Sequence, residues 1–196
     1  MARKYQLKRR AERQGETRQR IVEATVALHT TVGPAQTTVS AIAERAGVQR
    51  HTFYRHFPDE RSLLMACSGL FEANHPVPAP QSWRSCDGPD ARLRRGFDEL
   101  FRYYETNAEA LAPLFRDAEI HRPTRETLEL RMGPVFEEMA SVLAEPFRLA
   151  PARRRRVAAA IRLCLSFPAW RALRAAVKSH GEAVEVAVRA VTAQVS

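Results

Sequence analysis

The sequence predicts an all-α protein, and three observations carry that reading. Apolar residues recur at the three- to four-residue spacing of helices almost throughout. Alternating Val/Ile/Thr runs, the mark of a half-buried strand, are lacking. The periodic stretches are punctuated at helical lengths by Gly33-Pro34, Gly47, Pro58, Pro123, Pro151 and Gly181.

Residues 1–16 are polar and basic and contain Gly15, so they are expected to form a mobile arm, with order beginning near Thr17. The first helix is expected from Thr17 to Val32, with Ile21, Ala24, Thr25, Leu28 and Val32 on one face and Gly33-Pro34 ending it. A short second helix follows, with Thr38 as N-cap and Val39, Ile42, Ala43 and Ala46 turned inward, and Gly47 closes it. The third, near Arg50 to Phe57, buries Phe53 and Phe57 at i, i+4 and stops before Pro58. Asp59 can cap a fourth, running through Leu63, Leu64, Cys67, Leu70 and Phe71 to Asn74. Residues 76–89 hold Pro76, Pro78, Pro80, Pro89 and Gly88 and read as a linker or long loop. Amphipathic helices are then expected at about 90–106, 108–121, 123–148, 151–178 and 181–194, the fourth of these kinked or broken at Pro168.

Composition narrows the function. At 196 residues, 45% hydrophobic and 27% charged, the chain can bury a core of its own, and no apolar run nears the ~18 residues of a membrane span. No apolar stretch follows the charged N-terminus, so a cytoplasmic location is expected. Cys67, Cys86 and Cys164 are odd in number and widely spaced, which suggests neither a disulfide framework nor a metal site. No HExxH, GxSxG or Gly-rich phosphate loop occurs, and His51 and His56 would stand about 140° apart on a helix. An enzyme, a metal centre and a cofactor are therefore not expected. The net charge is +9, and residues 1–20 carry eight Lys or Arg against Glu12 and Glu16, so two thirds of the excess sits at one end. Such a pole favours a polyanion.

Residues 39–57 meet the demands of a helix-turn-helix: small Ala43 at the packing point, Gly47 in the turn and Val48 as an apolar plug. The second helix of that pair exposes Arg50, His51, Thr52, Tyr54, Arg55 and His56, and no acidic residue lies between Val48 and Pro58. Arg50 and Arg55 can donate in pairs to guanine edges, while Thr52, Tyr54 and His56 can reach phosphate oxygens. With its first turn in the major groove, Arg50, His51 and Thr52 are the leading base readers.

TTVSAIAERAGV, followed by TFYRHF and DERSLL, resembles the tetracycline-repressor (TetR) family of bacterial transcriptional regulators over about residues 17–66. The resemblance implies a basic arm (1–16), a three-helix helix-turn-helix DNA-binding domain (17–66) and a helical ligand-sensing and dimerisation domain (67–196). It also implies that Thr38 and Ser40 contact DNA backbone or flanking bases. Two departures stand out: Gln49 occupies a cap often held by Ser, and Glu60 stands where a phosphate-binding Lys is usual. Arg61 is the candidate replacement, or the arm, through Arg3, Lys4, Lys8, Arg9, Arg10 and Arg13, compensates.

For the second domain the resemblance implies a homodimer through the last two helices, rich in Ala and Val, and a small apolar or amphipathic effector. Phe101, Tyr104, Phe115, Phe136, Met139, Phe167 and Trp170 are candidate pocket residues, with Glu119 and His121 as polar anchors. The expected function is a ligand-responsive repressor that binds a palindromic double-stranded operator and has no membrane partner. The alternative is a basic protein that coats nucleic acid without sequence choice or effector control.

Overall fold

The computed structural model describes the backbone of residues 2–195; the side chains of residues 1–5, 7, 8 and 196 lie outside the described set. Among the described residues there are helices and no strands, as the periodicity predicts. The helices are α1 (Ala2–His29), α2 (Val39–Ala46), α3 (Arg50–His56), α4 (Glu60–Asn74), α5 (Gly88–Ala118), α6 (Arg122–Ala144), α7 (Pro151–Leu165), α8 (Phe167–Ala176) and α9 (His180–Thr192). No described helix is long and apolar enough to cross a membrane.

Three boundaries differ from the sequence expectation, and a fourth lies close to where Pro168 predicts it. α1 begins at Ala2 rather than near Thr17, because the basic segment is built of good helix formers and extends a helix already nucleated by packing. The proline-rich stretch holds a 3₁₀ turn, Pro80–Ser85, tied down by the fully buried Trp83, whose indole N–H donates to Glu99 (2.7 Å). α5 runs unbroken to Ala118 with Pro113 inside it, where two helices were expected. The expected 151–178 helix breaks at Ser166, which accepts from the Ala169 N–H and starts α8 with Pro168 in its first turn, where the missing donor costs nothing.

The chain forms two compact units that interleave along the sequence: residues 1–76 with 109–128, and 77–108 with 129–196. In the first, α1 packs against α2 and α4, and α2 against α3. Ile21, Val22, Ile42, Phe53, Phe57, Leu63 and Leu64 are its buried centre. The segment 109–128, assigned from sequence to the C-terminal domain, joins this unit.

The second unit is held by an aromatic core. Phe97 and Phe101 stack (5.8 Å between centroids), and Tyr104, Phe167 and Trp170 meet at 5.3–5.5 Å, with the Tyr104 hydroxyl donating to the Leu165 carbonyl (2.6 Å). α7, α8 and α9 pack on one another, and Val184, Val188 and Val191 are buried within this core. These valines, expected at a subunit contact, instead serve the protomer's own packing. His180 ties the start of α9 to α5, with Nε2 2.9 Å from Asp98 and Nδ1 3.1 Å from Glu105.

Candidate nucleic-acid interface

The helix-turn-helix is fixed by caps and one turn. Thr38 Oγ1 accepts from the Ala41 N–H (3.2 Å), leaving the hydroxyl proton free to donate elsewhere. Gly47 ends α2 in the left-handed region (φ 64°, ψ 41°), a conformation that costs a side-chain-bearing residue more, and the Val48 N–H closes the turn on the Ala43 carbonyl (2.9 Å). Gln49 sits at the start of α3 without a side-chain cap bond. Asp59 caps α4 by accepting from the Ser62 N–H (2.7 Å).

These constraints set which side of α3 is free. Phe53 and Phe57 are buried, with the Arg18 guanidinium 4.8 Å over the Phe57 ring. Arg50, His51, Tyr54 and Arg55 are exposed, and Thr52 and His56 are half-buried. Tyr54 stands edge-on against Phe53 (5.5 Å), which holds a large ring nearly half exposed in a fixed place. His51 Nε2 lies 3.2 Å from Thr52 Oγ1, coupling two of the expected base readers. Ser40 and Arg61 are exposed on the neighbouring helices. Burial, then the charges of Arg55 and Arg18, push the His56 pKa down.

Residues 109–128 brace this module from below. The carboxylate of Asp117, almost wholly buried, accepts from the Ala35 N–H (2.9 Å) and from Arg116 (2.7 Å). Arg116 in turn donates to the Val32 carbonyl (2.8 Å). Burial opposes ionisation of Asp117, but the bonds from Arg116 and the Ala35 amide outweigh it and hold its pKa below the usual carboxylate value. Gly33 turns here at φ 104°, and a side chain on it would run into Asp117 and Arg116. Glu60, the residue out of place in the resemblance, lies 3.3 Å from His121 Nε2, and His121 Nδ1 is 2.8 Å from Thr124 Oγ1. Both ring nitrogens of His121 are thus engaged inside the first unit. Below them His29 is buried beside Cys67 (3.6 Å), its pKa lowered to about 4 by burial and by His121, against the pull of Asp117.

The candidate effector residues divide between the units. Phe115 (half-buried) and Glu119 (exposed) belong to the first; Phe101, Tyr104, Met139, Phe167 and Trp170 are buried in the second, with Phe136 half-buried. The Trp170 Nε1 donor is buried without a hydrogen-bond partner in the described structure, a feature the sequence gives no sign of.

Residues 21–67 match the family of bacterial regulatory proteins, tetR family. The chain's helix-turn-helix segment is thus similar to the DNA-binding domain of that family. A curated relative, the HTH-type transcriptional repressor KstR of Mycolicibacterium smegmatis, is 41% identical over 59 residues, which are 30% of this chain and 29% of that protein. The chain's match therefore spans less than a third of that relative's length. Among solved structures, a tetR-family regulator from Streptomyces coelicolor superposes with a TM-score of 0.61 at 21% identity, covering 92% of this chain and 80% of that one. The multidrug binding protein EbrR, solved with imidazole, gives 0.54 at 23% identity, covering 88% and 93%. These likenesses extend the tetR-family fold beyond the matched domain.

Proposed function

We propose that this protein is a ligand-responsive transcriptional repressor that binds a palindromic operator as a homodimer and is released by a small effector. The observation that carries the reading is the exposed side of α3, where Arg50, His51, Thr52, Tyr54 and Arg55 stand together with no carboxylate from Val48 to Pro58. Arg50, His51 and Thr52 enter the major groove, and Tyr54, Arg55, His56, Thr38, Ser40 and Arg61 hold the backbone around them. Repression is the activity named for the curated relative, and binding of small molecules is named for the EbrR structure.

The second copy docks on the last helices, where Leu163 and Val186 are apolar and exposed and the alanines of α8 allow close approach. The effector enters the aromatic unit. The orphaned Trp170 donor, beside Tyr104 and Phe167, suits an apolar molecule carrying one hydrogen-bond acceptor, since a buried donor without a partner is costly.

Selection from a random duplex pool by the full-length protein tests the reading. It should enrich a palindrome whose half-site centres lie one helical turn, about 10–10.5 base pairs, or a multiple of it, apart. Enrichment of no sequence would leave the non-specific coating protein in its place.

A further inference from the structure

The N-terminal segment forms the first turns of α1, continuous with the helix that carries the first unit's core. On one side of it Arg9, Arg10 and Arg13 recur at helical spacing, and with Arg55 and His56 at the end of α3 they border a groove of about 490 Å³. Four guanidiniums line that space and no carboxylate does; Glu12 and Glu16 are not part of its wall. His56 supplies an independent observation. Its Nε2 is buried and has no hydrogen-bond partner in the described structure, in a place ringed by cations. Burial and the neighbouring Arg55 and Arg18 hold its pKa below the ordinary imidazole value, which favours the neutral ring. An anionic oxygen in the groove would accept from that nitrogen and from the arginines together.

We propose that the groove between the N-terminal half of α1 and the end of α3 is a second phosphate-binding site, which clamps duplex backbone beside the half-site read by α3. This rests on the reading of α3 as the recognition helix, because the two surfaces share Arg55 and His56. Helical residues 2–17 are roughly 22 Å long at 1.5 Å per residue, enough to follow about 6 base pairs at 3.4 Å each. The arm therefore lengthens the contacted site and adds charge without adding sequence choice. A helix that is already formed also loses little freedom on binding.

The test uses the full-length chain and a duplex enriched by it from a random pool. One form is trimmed to the palindrome, and the other carries about 8 extra base pairs on each side, enough to exceed the reach derived from the helix rise. Wild type should bind the longer form at least about tenfold tighter, the scale set by losing several phosphate contacts. The Arg9→Ala/Arg10→Ala/Arg13→Ala variant should lose that preference. Its salt slope, log K against log [salt], should be shallower by about 2.7 per bound copy, for three released contacts. Arg→Lys at the same positions should restore most of the slope, and the preference for enriched over scrambled sequence should stay unchanged in both variants. An unchanged slope and flank dependence in the alanine variant overturns the proposal. If no sequence is enriched but the variant still flattens the slope on random duplex, the groove stands and the sequence-reading role of α3 falls.

Discussion

The two units put their chemistry in opposite places. In the helix-turn-helix unit the buried residues are plain packing, Ile21, Ile42, Phe53, Phe57 and Leu63, while the polar and aromatic groups that can recognise a partner stand outside. In the other unit the distinctive side chains, Phe101, Tyr104, Phe167 and Trp170, are inside, and the large apolar groups left exposed, Leu130, Leu163 and Val186, are aliphatic. Tyr54 meets Phe53 edge-on yet leaves nearly half of its surface exposed beside Arg50 and Arg55. Tyr104 is buried, its ring filling the core and its hydroxyl satisfying the Leu165 carbonyl. On the proposed function, recognition separates from packing in the first unit and is superimposed on it in the second.

The largest expected effect breaks the packing side of the first unit. Phe57→Ala removes a fully buried ring that also receives Arg18, and should cost about 3–5 kcal/mol in urea unfolding, with DNA binding lost through the fold. A cost below about 1 kcal/mol, the range of surface substitutions, would mean the core is not organised around that ring.

Acid should then distinguish the units. His29 is buried with its pKa lowered to about 4, so the folded state holds it neutral while the unfolded chain, near 6.5, takes up a proton first. That contribution is fully present above pH 6.5 and is lost as pH falls towards about 4, amounting to about 3 kcal/mol. His29→Gln should flatten the stability of the helix-turn-helix unit between pH 7 and 4.5, followed by exchange protection of α1, α2 and α4 amides. Equal acid sensitivity of wild type and variant would contradict the assignment.

A smaller loss, about 1–3 kcal/mol, is expected for Asp117→Ala, which takes the buried charged acceptor from the part-buried Ala35 amide and frees Arg116 from the Val32 turn. Since the Asp117 pKa is held low, its contribution is present above the ordinary carboxylate value and disappears as pH drops through the lowered one. Thermal unfolding at pH 7 should show the loss, and Asp117→Asn should recover part of it. Smallest of all, Tyr104→Phe should cost about 1 kcal/mol in the aromatic unit and leave DNA affinity untouched. A change in DNA affinity there would show that the aromatic core already biases the reader.

How much of this was legible in the sequence follows the same division. The Thr38 and Asp59 caps, the Gly47 turn, the weak start at Gln49 and the burial of Phe53 and Phe57 are local effects, set within about five residues, and all are present in the structure. Long-range pairings left no local mark. Glu60 stood out as a departure, but its partner His121 lies 61 positions away, and the buried Asp117 reaches the Ala35 amide across 82. The N-terminal segment was misread because its charge density resembles that of a disordered tail. Its Arg, Lys, Gln and Ala are nevertheless strong helix formers, joined to a helix that needs no new nucleus. In the aromatic unit, spacing alone cannot tell a ring that packs from one that waits for a ligand. Among the described rings of that unit, the missing partner of Trp170 Nε1 marks a difference.

The central claim is that the exposed side of α3 reads sequence. Its most direct test is the ratio of affinities for an enriched duplex and a scrambled one, measured by fluorescence anisotropy at fixed salt for wild type and for Arg50→Ala/Thr52→Ala. The ratio should fall by about 10–100-fold, the range for losing one bidentate base contact and its neighbour, while affinity for the scrambled duplex stays within about threefold. Equal loss on both duplexes, or an unchanged ratio, would contradict the account.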